Sequence, residues 1–359
     1  MAVRKFLSCT GSLVKPINSL RNDRKFLYLA PPFLVEDNKS SALISHEKGI
    51  LKQRVNEALE DLENCKICPR DCGVNRLADK KGACNTGRKA IVSSAFPHFG
   101  EESVLQGWNG SGTIFFGMCN LRCVFCQNWD ISQKKNNGWE LDAKEIANLM
   151  LKLQNETKCH NVNFVTPEHV VPQVIEAIYE AVNQGFKLPI VYNTSSYDSL
   201  KSLALLDGLI DIYMPDFKFW TEDTSERLCK ARNYPNVTKN VIKEMYRQVG
   251  DLVFDSNGIA QRGLLVRHLV MPNYVEEGKN IMSFIAKEIS KDTYVNIMEQ
   301  YRPTFIVGKG EKRARHGFTK YEEIDRPIND SEYDQVRLHA RNEGLWRFED
   351  NCWIANPEM

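Results

Sequence analysis

Cys119, Cys123 and Cys126 lie in the run Gly117-Met118-Cys119-Asn120-Leu121-Arg122-Cys123-Val124-Phe125-Cys126, directly after the apolar stretch Thr113 to Phe116. Soft thiolates at such close intervals suit zinc, copper(I) or iron–sulfur rather than oxygen-seeking cations. The count is informative, because a structural zinc site and an ordinary electron-transfer cluster both take four protein ligands. Three cysteines on one loop leave one iron of a cubane cluster open to a ligand that is not protein. A second set, Cys65, Cys68, Cys72 and Cys84, supplies enough thiolates for a tetrahedral zinc site or a complete iron–sulfur cluster. Its spacing is not the paired knuckle of a zinc ribbon, so the sequence leaves both metals open. Seven of the eleven cysteines fall in these two clusters, which speaks for metal ligation in a reducing compartment rather than a secreted disulfide framework. Cys9, Cys159, Cys229 and Cys352 stand alone and read as inert.

From Gly107 onward, β-branched apolar runs alternate with amphipathic segments of helical period. Strands are predicted at residues 113–116, 161–166, 189–193, 210–214, 264–271 and 294–298. Asp142 can cap a helix carrying Ile146, Leu149, Met150 and Leu153 on its inner stripe. Pro172 opens the next helix and Gly185 closes it. Further helices are predicted near residues 46–64, 198–206, 224–232 and 237–249. Ser331 is expected to cap a last helix ending at Gly344, with Leu345-Trp346 beyond it as a lid or barrel plug. Strands alternating with helices imply parallel pairing through right-handed crossovers, with functional groups gathered at the strand C-terminal ends.

The three-cysteine loop, with an aromatic at Phe125 before its third thiol, resembles the signature of the radical S-adenosylmethionine (SAM) superfamily. The resemblance implies an α/β fold, a partial (β/α)6 barrel, and a [4Fe–4S] cluster on Cys119, Cys123 and Cys126 whose open iron takes SAM. One electron from that cluster would cleave the sulfonium to methionine and a 5′-deoxyadenosyl radical. It also implies a reductant such as flavodoxin or ferredoxin. Residues 65–301, including Gly110-Ser111-Gly112-Thr113-Ile114-Phe115-Phe116 and Glu244-Met245-Tyr246-Arg247-Gln248-Val249-Gly250, resemble a branch named for pyruvate formate-lyase activating enzyme.

The strand ends supply candidates for SAM. Thr166-Pro167-Glu168-His169 stands where many members of the superfamily carry Gly-Gly-Glu-Pro, so Thr166 and backbone carbonyls would hold the SAM amino group. Asn193-Thr194-Ser195 can bond the ribose hydroxyls. Pro215-Asp216-Phe217-Lys218 is similar to the Asp-x-Lys motif of glycyl-radical-enzyme activases, in which both charged residues contact SAM. Arg267 and His268 alternate faces on the fifth strand, so at most one enters the barrel, and the resemblance favours His268 near the adenosine. His98, followed by Glu101 and Glu102, is a further candidate for the active-site wall. No catalytic residue can be assigned.

The 359-residue chain is 42% hydrophobic and 26% charged, with a net charge of +1. That balance gives no general signal for nucleic acid or an anionic membrane, and no apolar run approaches a spanning length. Residues 1–26 are basic and serine-rich, like a mitochondrial transit peptide or a disordered extension, and 27–45 read as linker. The expected organisation is leader and linker (1–45), N-terminal helix and four-cysteine metal-binding segment (46–106), barrel (107–303), then a basic loop and helix (304–359). The expected activity is radical abstraction of hydrogen from an unknown substrate, with glycyl-radical-enzyme activation foremost. Modification of a peptide, a small molecule or RNA is the alternative, and a non-catalytic redox sensor the other class. The expected compartment is intracellular and reducing, either the mitochondrial matrix or the cytoplasm.

Overall fold

Period-two alternation within the apolar runs divides their side chains between two faces, and that division organises the molecule. The computed structural model describes residues 31–36, 39–135, 137–309 and 320–349. Helices α1 (Ser41–Glu47) and α2 (Ile50–Glu60) precede strand β1 (Ala90–His98), the short helix α3 (Ser103–Gln106) and β2 (Ser111–Phe116). Next come α4 (Trp129–Ser132), β3 (Trp139–Leu141), α5 (Ala143–Asn155), β4 (Val162–Val165), α6 (Val171–Val182) and β5 (Ile190–Thr194). The chain continues through α7 (Leu200–Leu206), β6 (Ile212–Pro215), α8 (Glu222–Cys229), α9 (Tyr234–Val249), β7 (Val253–Phe254) and β8 (Ala260–Leu269). It ends with α10 (Val275–Phe284), β9 (Tyr294–Met298) and α11 (Asp330–Asn342).

The strands form one nine-stranded sheet in which β2, β4, β5, β6, β8 and β9 are successive parallel neighbours. β1 and β3 extend the β2 edge antiparallel, and β7 runs antiparallel to β8. All six expected strands are present, and the arrangement is a partial barrel. Val191, Ile212, Met214, Leu265 and Tyr294 project inward and pack with Leu252 and Phe254 into an inner core. Their neighbours Tyr192, Tyr213, Val266 and Val295 face outward into the larger core beneath the helices. Each such apolar side chain contributes roughly 1.5–3 kcal/mol on full burial.

Local chemistry sets the helix boundaries. Asp142 and Glu145 form a reciprocal capping box at α5, and Pro172 sits in the first turn of α6. The helix expected over 46–64 is instead two, because Gly49 takes φ 74 between α1 and α2. That also places part of the expected linker in α1. The cap of α11 is Asn329, paired with Glu332, rather than Ser331. Helix α10 escaped sequence reading because Gly278 interrupts its pattern; a Cβ there would lie 2.8 Å from His268 Nε2. Beyond α11, Leu345 is buried in the larger core and Trp346 packs on the Phe33 ring at 6.0 Å beside the inner core, with Arg347 next to it. The Arg347 guanidinium stacks 4.0 Å from the Phe33 ring at the base of the inner core, and Val295 N–H donates to Arg347 O at 2.9 Å. The basic leader, Cys9, Cys352 and residues 310–319 of the basic loop lie outside the described residues. No helix among the described residues is long and apolar enough to cross a membrane.

Candidate active site

After β2 the chain turns through Gly117 and Met118, the latter at φ 65. A Cβ on Gly117 would stand 2.7 Å from Ile91 Cγ2, so the turn needs a bare backbone there. Gly117 N–H donates to Ile91 O and Met118 N–H to Ile131 O, each at 2.8 Å. Arg122 N–H donates to Cys229 O at 3.1 Å and Val124 N–H to Leu228 O at 2.9 Å, tying the far side of the loop to the end of α8. The loop held in this way turns Cys119, Cys123 and Cys126 into one cleft of about 430 Å³.

The sulfurs have polar company already. Leu121 N–H donates to Cys119 Sγ at 3.3 Å, Ser132 Oγ lies 3.2 Å from Cys126 Sγ, and Cys229 Sγ lies 3.4 Å from Cys123 Sγ. Cys229, expected to be an isolated cysteine, therefore touches the set. Among the described residues no three His, Cys, Asp or Glu side chains take up a coordinating arrangement around a metal ion. The loop's donor set fits a larger soft group: three thiols open on a single cleft, with Leu121 and Phe125 beside them in its wall. Burial pushes the Cys119 and Cys126 thiols up, so a bound metal centre has to displace their protons.

Four strand ends complete the cleft, and alternation determines what they contribute. Asn193, Asp216 and Arg267 continue the inward files of Val191, Met214 and Leu265. Arg267 Nε donates to Asp216 Oδ1 at 2.8 Å and its Nη2 to Asn193 Oδ1 at 2.7 Å. Lys218 Nζ pairs with Asp216 Oδ2, and Tyr234 clamps this segment by donating to Asp216 O at 2.8 Å. Burial alone would push the Asp216 carboxyl up, but Arg267 and Lys218 hold it below the usual carboxylate range. Burial likewise opposes the charges of Lys218 and Arg267, and the groups around them, Asp216 foremost at both and Glu102 and Glu101 next at Arg267, together more than offset it. Arg267 Nη1 also lies 3.8 Å from Glu101 Oε2 and 4.0 Å from Glu102 Oε1, so this wall gathers two cations and three carboxyl groups.

His268 is out of phase with these groups. It continues the outward file of Val266, is buried, and has Nδ1 2.8 Å from Phe217 O. The structure thus puts Arg267 in the cleft, where the resemblance favours His268. Thr166 does line the cleft, at φ 62, a conformation ordinarily left to glycine. His98 and Glu101 line it as well.

Glu168 enters the sequence analysis only within Thr166-Pro167-Glu168-His169, where it falls on the glutamate of Gly-Gly-Glu-Pro and is given no role of its own. It is wholly buried, accepts from Ser195 Oγ at 2.6 Å, and brings Oε1 to 3.9 Å from Cys119 Sγ. Its other oxygen has no hydrogen-bond partner among the described residues. Burial, then the nearby Asp198, raise this carboxyl to about 7. Glu101 is raised further, to about 8, by burial and by Glu102, against the opposing pull of Arg267. A carboxyl that carries its proton near neutrality can donate a hydrogen bond or hold a proton beside a charged ligand.

The N-terminal cysteines pack against the loop from outside the barrel. Cys65, Cys68, Cys72 and Cys84 line a single small cavity. Arg70, between two of them, donates from Nε to Asn120 O at 2.7 Å, and Arg122 Nη2 donates to Ala83 O at 2.6 Å. The two cysteine sets are thus braced against each other by reciprocal arginines.

A family model for the radical SAM superfamily matches residues 113–285. Uncharacterized protein MJ0674 of Methanocaldococcus jannaschii is 33% identical over 287 residues, covering 78% of both chains. Uncharacterized protein MJ0808 of the same organism is 22% identical over 258 residues, covering 66% of this chain and 70% of its own. Among solved structures, Streptococcus suis SuiB bound to S-adenosylmethionine aligns at TM-score 0.41 and 12% identity, over 63% of this chain and 45% of SuiB. The cobalamin-dependent S-adenosylmethionine radical enzyme OxsB aligns at TM-score 0.35 and 10% identity, over 66% of this chain and 30% of its own. The chain spans less than half the length of either solved protein, and likenesses this distant carry no argument here. The matched family model covers the strand that delivers the three-cysteine loop and runs through the strand ends that face it, and the chain belongs to the radical SAM superfamily.

Proposed function

We propose that this chain binds SAM against Cys119, Cys123 and Cys126 and directs radical hydrogen abstraction at a substrate in the adjoining recess. When bound, the [4Fe–4S] cluster and SAM supply one-electron cleavage of the sulfonium and a 5′-deoxyadenosyl radical. The carrying observation is that three thiols and the Asn193–Arg267–Asp216–Lys218 network open on one cleft. Lys218 and Arg267 supply charge for the methionine carboxylate, Asn193 offers an amide to the ribose, and Thr166 presents its hydroxyl and backbone to the ammonium. Asp216 holds both cations in place.

A second recess of about 400 Å³ shares Glu101, Arg267, Met298 and Gln300 with the cleft and provides room for a substrate of some size. Activation of a glycyl-radical enzyme is the reading we favour within this class, because Asp216 and Lys218 both face the cleft as an Asp-x-Lys pair. Cys65, Cys68, Cys72 and Cys84 form in this reading a second metal centre that steadies the cluster loop.

The test is anaerobic incubation of the reconstituted protein with SAM and dithionite. Formation of 5′-deoxyadenosine is expected, and loss of both the cluster spectrum and the product in Cys119→Ala, Cys123→Ala and Cys126→Ala. A fully loaded protein that binds SAM but never cleaves it would instead be a redox sensor.

A further inference from the structure

We propose that the recess beside the cleft is a substrate site for an alkylammonium group, anchored by the carboxyl groups of Glu101 and Glu102. The inference rests on the reading of the cleft as the SAM site and adds the chemical class of the molecule placed next to it.

The first observation is position. The recess, about 400 Å³, is walled by the turn after β1, the end of β9 and residues of α11. It meets the cleft at Gly100, Glu101, Arg267, Met298 and Gln300. A molecule seated there has one end in the volume that the three thiols face. Met298 is the apolar side chain at this junction, so an aliphatic stem can lie along it while a polar head stays among the glutamates.

The second observation is charge. The lining brings together four carboxyl groups, Glu101, Glu102, Glu299 and Glu349, and two guanidiniums, Arg267 and Arg337. Glu349 is already held by Ser103 Oγ at 2.7 Å and Tyr294 Oη at 3.2 Å, and Arg337 donates to Tyr333 Oη at 2.9 Å. Arg267 is the cation that approaches the junction pair, but its Nε and Nη2 donate to Asp216 and Asn193. Its Nη1 stops 3.8 Å from Glu101 and 4.0 Å from Glu102, beyond hydrogen-bond reach.

The third observation is an orphaned oxygen. Glu102 is 4% exposed and lines the recess. Its Oε1 accepts from Asn296 Nδ2 at 2.8 Å, whereas its Oε2 has no hydrogen-bond partner among the described residues. The Glu101 side chain beside it is 8% exposed. Two buried carboxyl groups at one corner do not ionise together without a further cation, and burial followed by the Glu102 charge raises Glu101 to about 8. An ammonium brings the missing positive charge and three N–H donors. As it binds, Glu101 releases its proton to solvent, and only hydrogen bonds and an ion pair form. A carboxylate or phosphate head would meet the same glutamates as like charges.

Binding to the full, reconstituted chain under anaerobic conditions with SAM present tests the assignment. The probes are Nα-acetyl-lysine methylamide and cadaverine, compared with the uncharged norleucine and the acidic glutamate counterparts of the first. Both ammonium probes should bind at least about tenfold more tightly than the other two, as one charged hydrogen-bonded contact implies. Tighter binding of the lysine probe than of cadaverine puts the ammonium on a peptide, and the reverse puts it on a free amine. Equal binding of all the probes, or preference for the glutamate probe, overturns the assignment. Glu101→Gln and Glu102→Gln should each weaken the ammonium probes by about tenfold to a hundredfold. Unchanged affinity in both folded variants overturns the anchors. Cleavage of SAM is followed on the unsubstituted chain without any probe. A chain that cleaves SAM but ignores probe charge loses the ammonium site and keeps the radical reading. One that selects the ammonium probes but never cleaves SAM keeps the site and loses that reading.

Discussion

Glu101 offers a test that needs neither cluster nor substrate. The carboxyl is buried beside Glu102, and its proton affinity is raised from an ordinary 4.5 to about 8 although Arg267 opposes the shift. A carboxyl raised on folding favours the native state fully below its unfolded pKa. That contribution is lost as pH climbs toward the native value. At about 1.4 kcal/mol per pH interval of displacement, the ionised native state is penalised by about 5 kcal/mol in the limit, and about 2–3 kcal/mol of that accrues between about pH 6 and pH 9. Glu101→Gln keeps the shape and removes the ionisation. Its stability should therefore match wild type near pH 5 and exceed it increasingly as the solution becomes alkaline. Urea unfolding at a series of pH values measures the difference directly, because the midpoint shifts while the slope stays constant. Parallel curves for the two proteins from pH 6 to pH 9 would refute the reasoning and place Glu101 in contact with water or a stronger cationic field.

Three further outcomes follow from particular contacts. Lys218→Met should weaken SAM binding by about 1–3 kcal/mol in equilibrium dialysis while leaving the cluster spectrum intact, since it removes one charged donor and no thiol. Gly278→Ala should destabilise the fold by about 1–3 kcal/mol in thermal or urea unfolding, because its Cβ would meet His268 Nε2 at 2.8 Å and Val336 Cγ2 at 2.9 Å. Asn329→Ala removes one half of the α11 capping box and should cost about 1 kcal/mol by the same measurement, whereas Ser331→Ala should cost little.

The sequence by itself determined the thiols and the strands that deliver them. Cys-x3-Cys-x2-Cys is a local pattern whose chemistry depends on spacing along one loop, and β-branched runs carry their period in the chain. The parallel order followed too, because helical crossovers between strands leave few alternatives. Only tertiary structure decided which of Arg267 and His268 enters the cleft. Alternation says that they part, but the phase is set by whether Leu265 or Val266 joins the inner core. Cys229 meets Cys123 only because the end of α8 folds beneath the cluster loop, a contact across 106 positions with no local trace. Gly49 divides a run whose apolar spacing reads as one helix, and Asn329 outcompetes Ser331 because Glu332 can answer it from the first turn. The charge on Arg76 is legible as a letter, yet its burial beside four thiols is not, since desolvation depends on everything that packs around it.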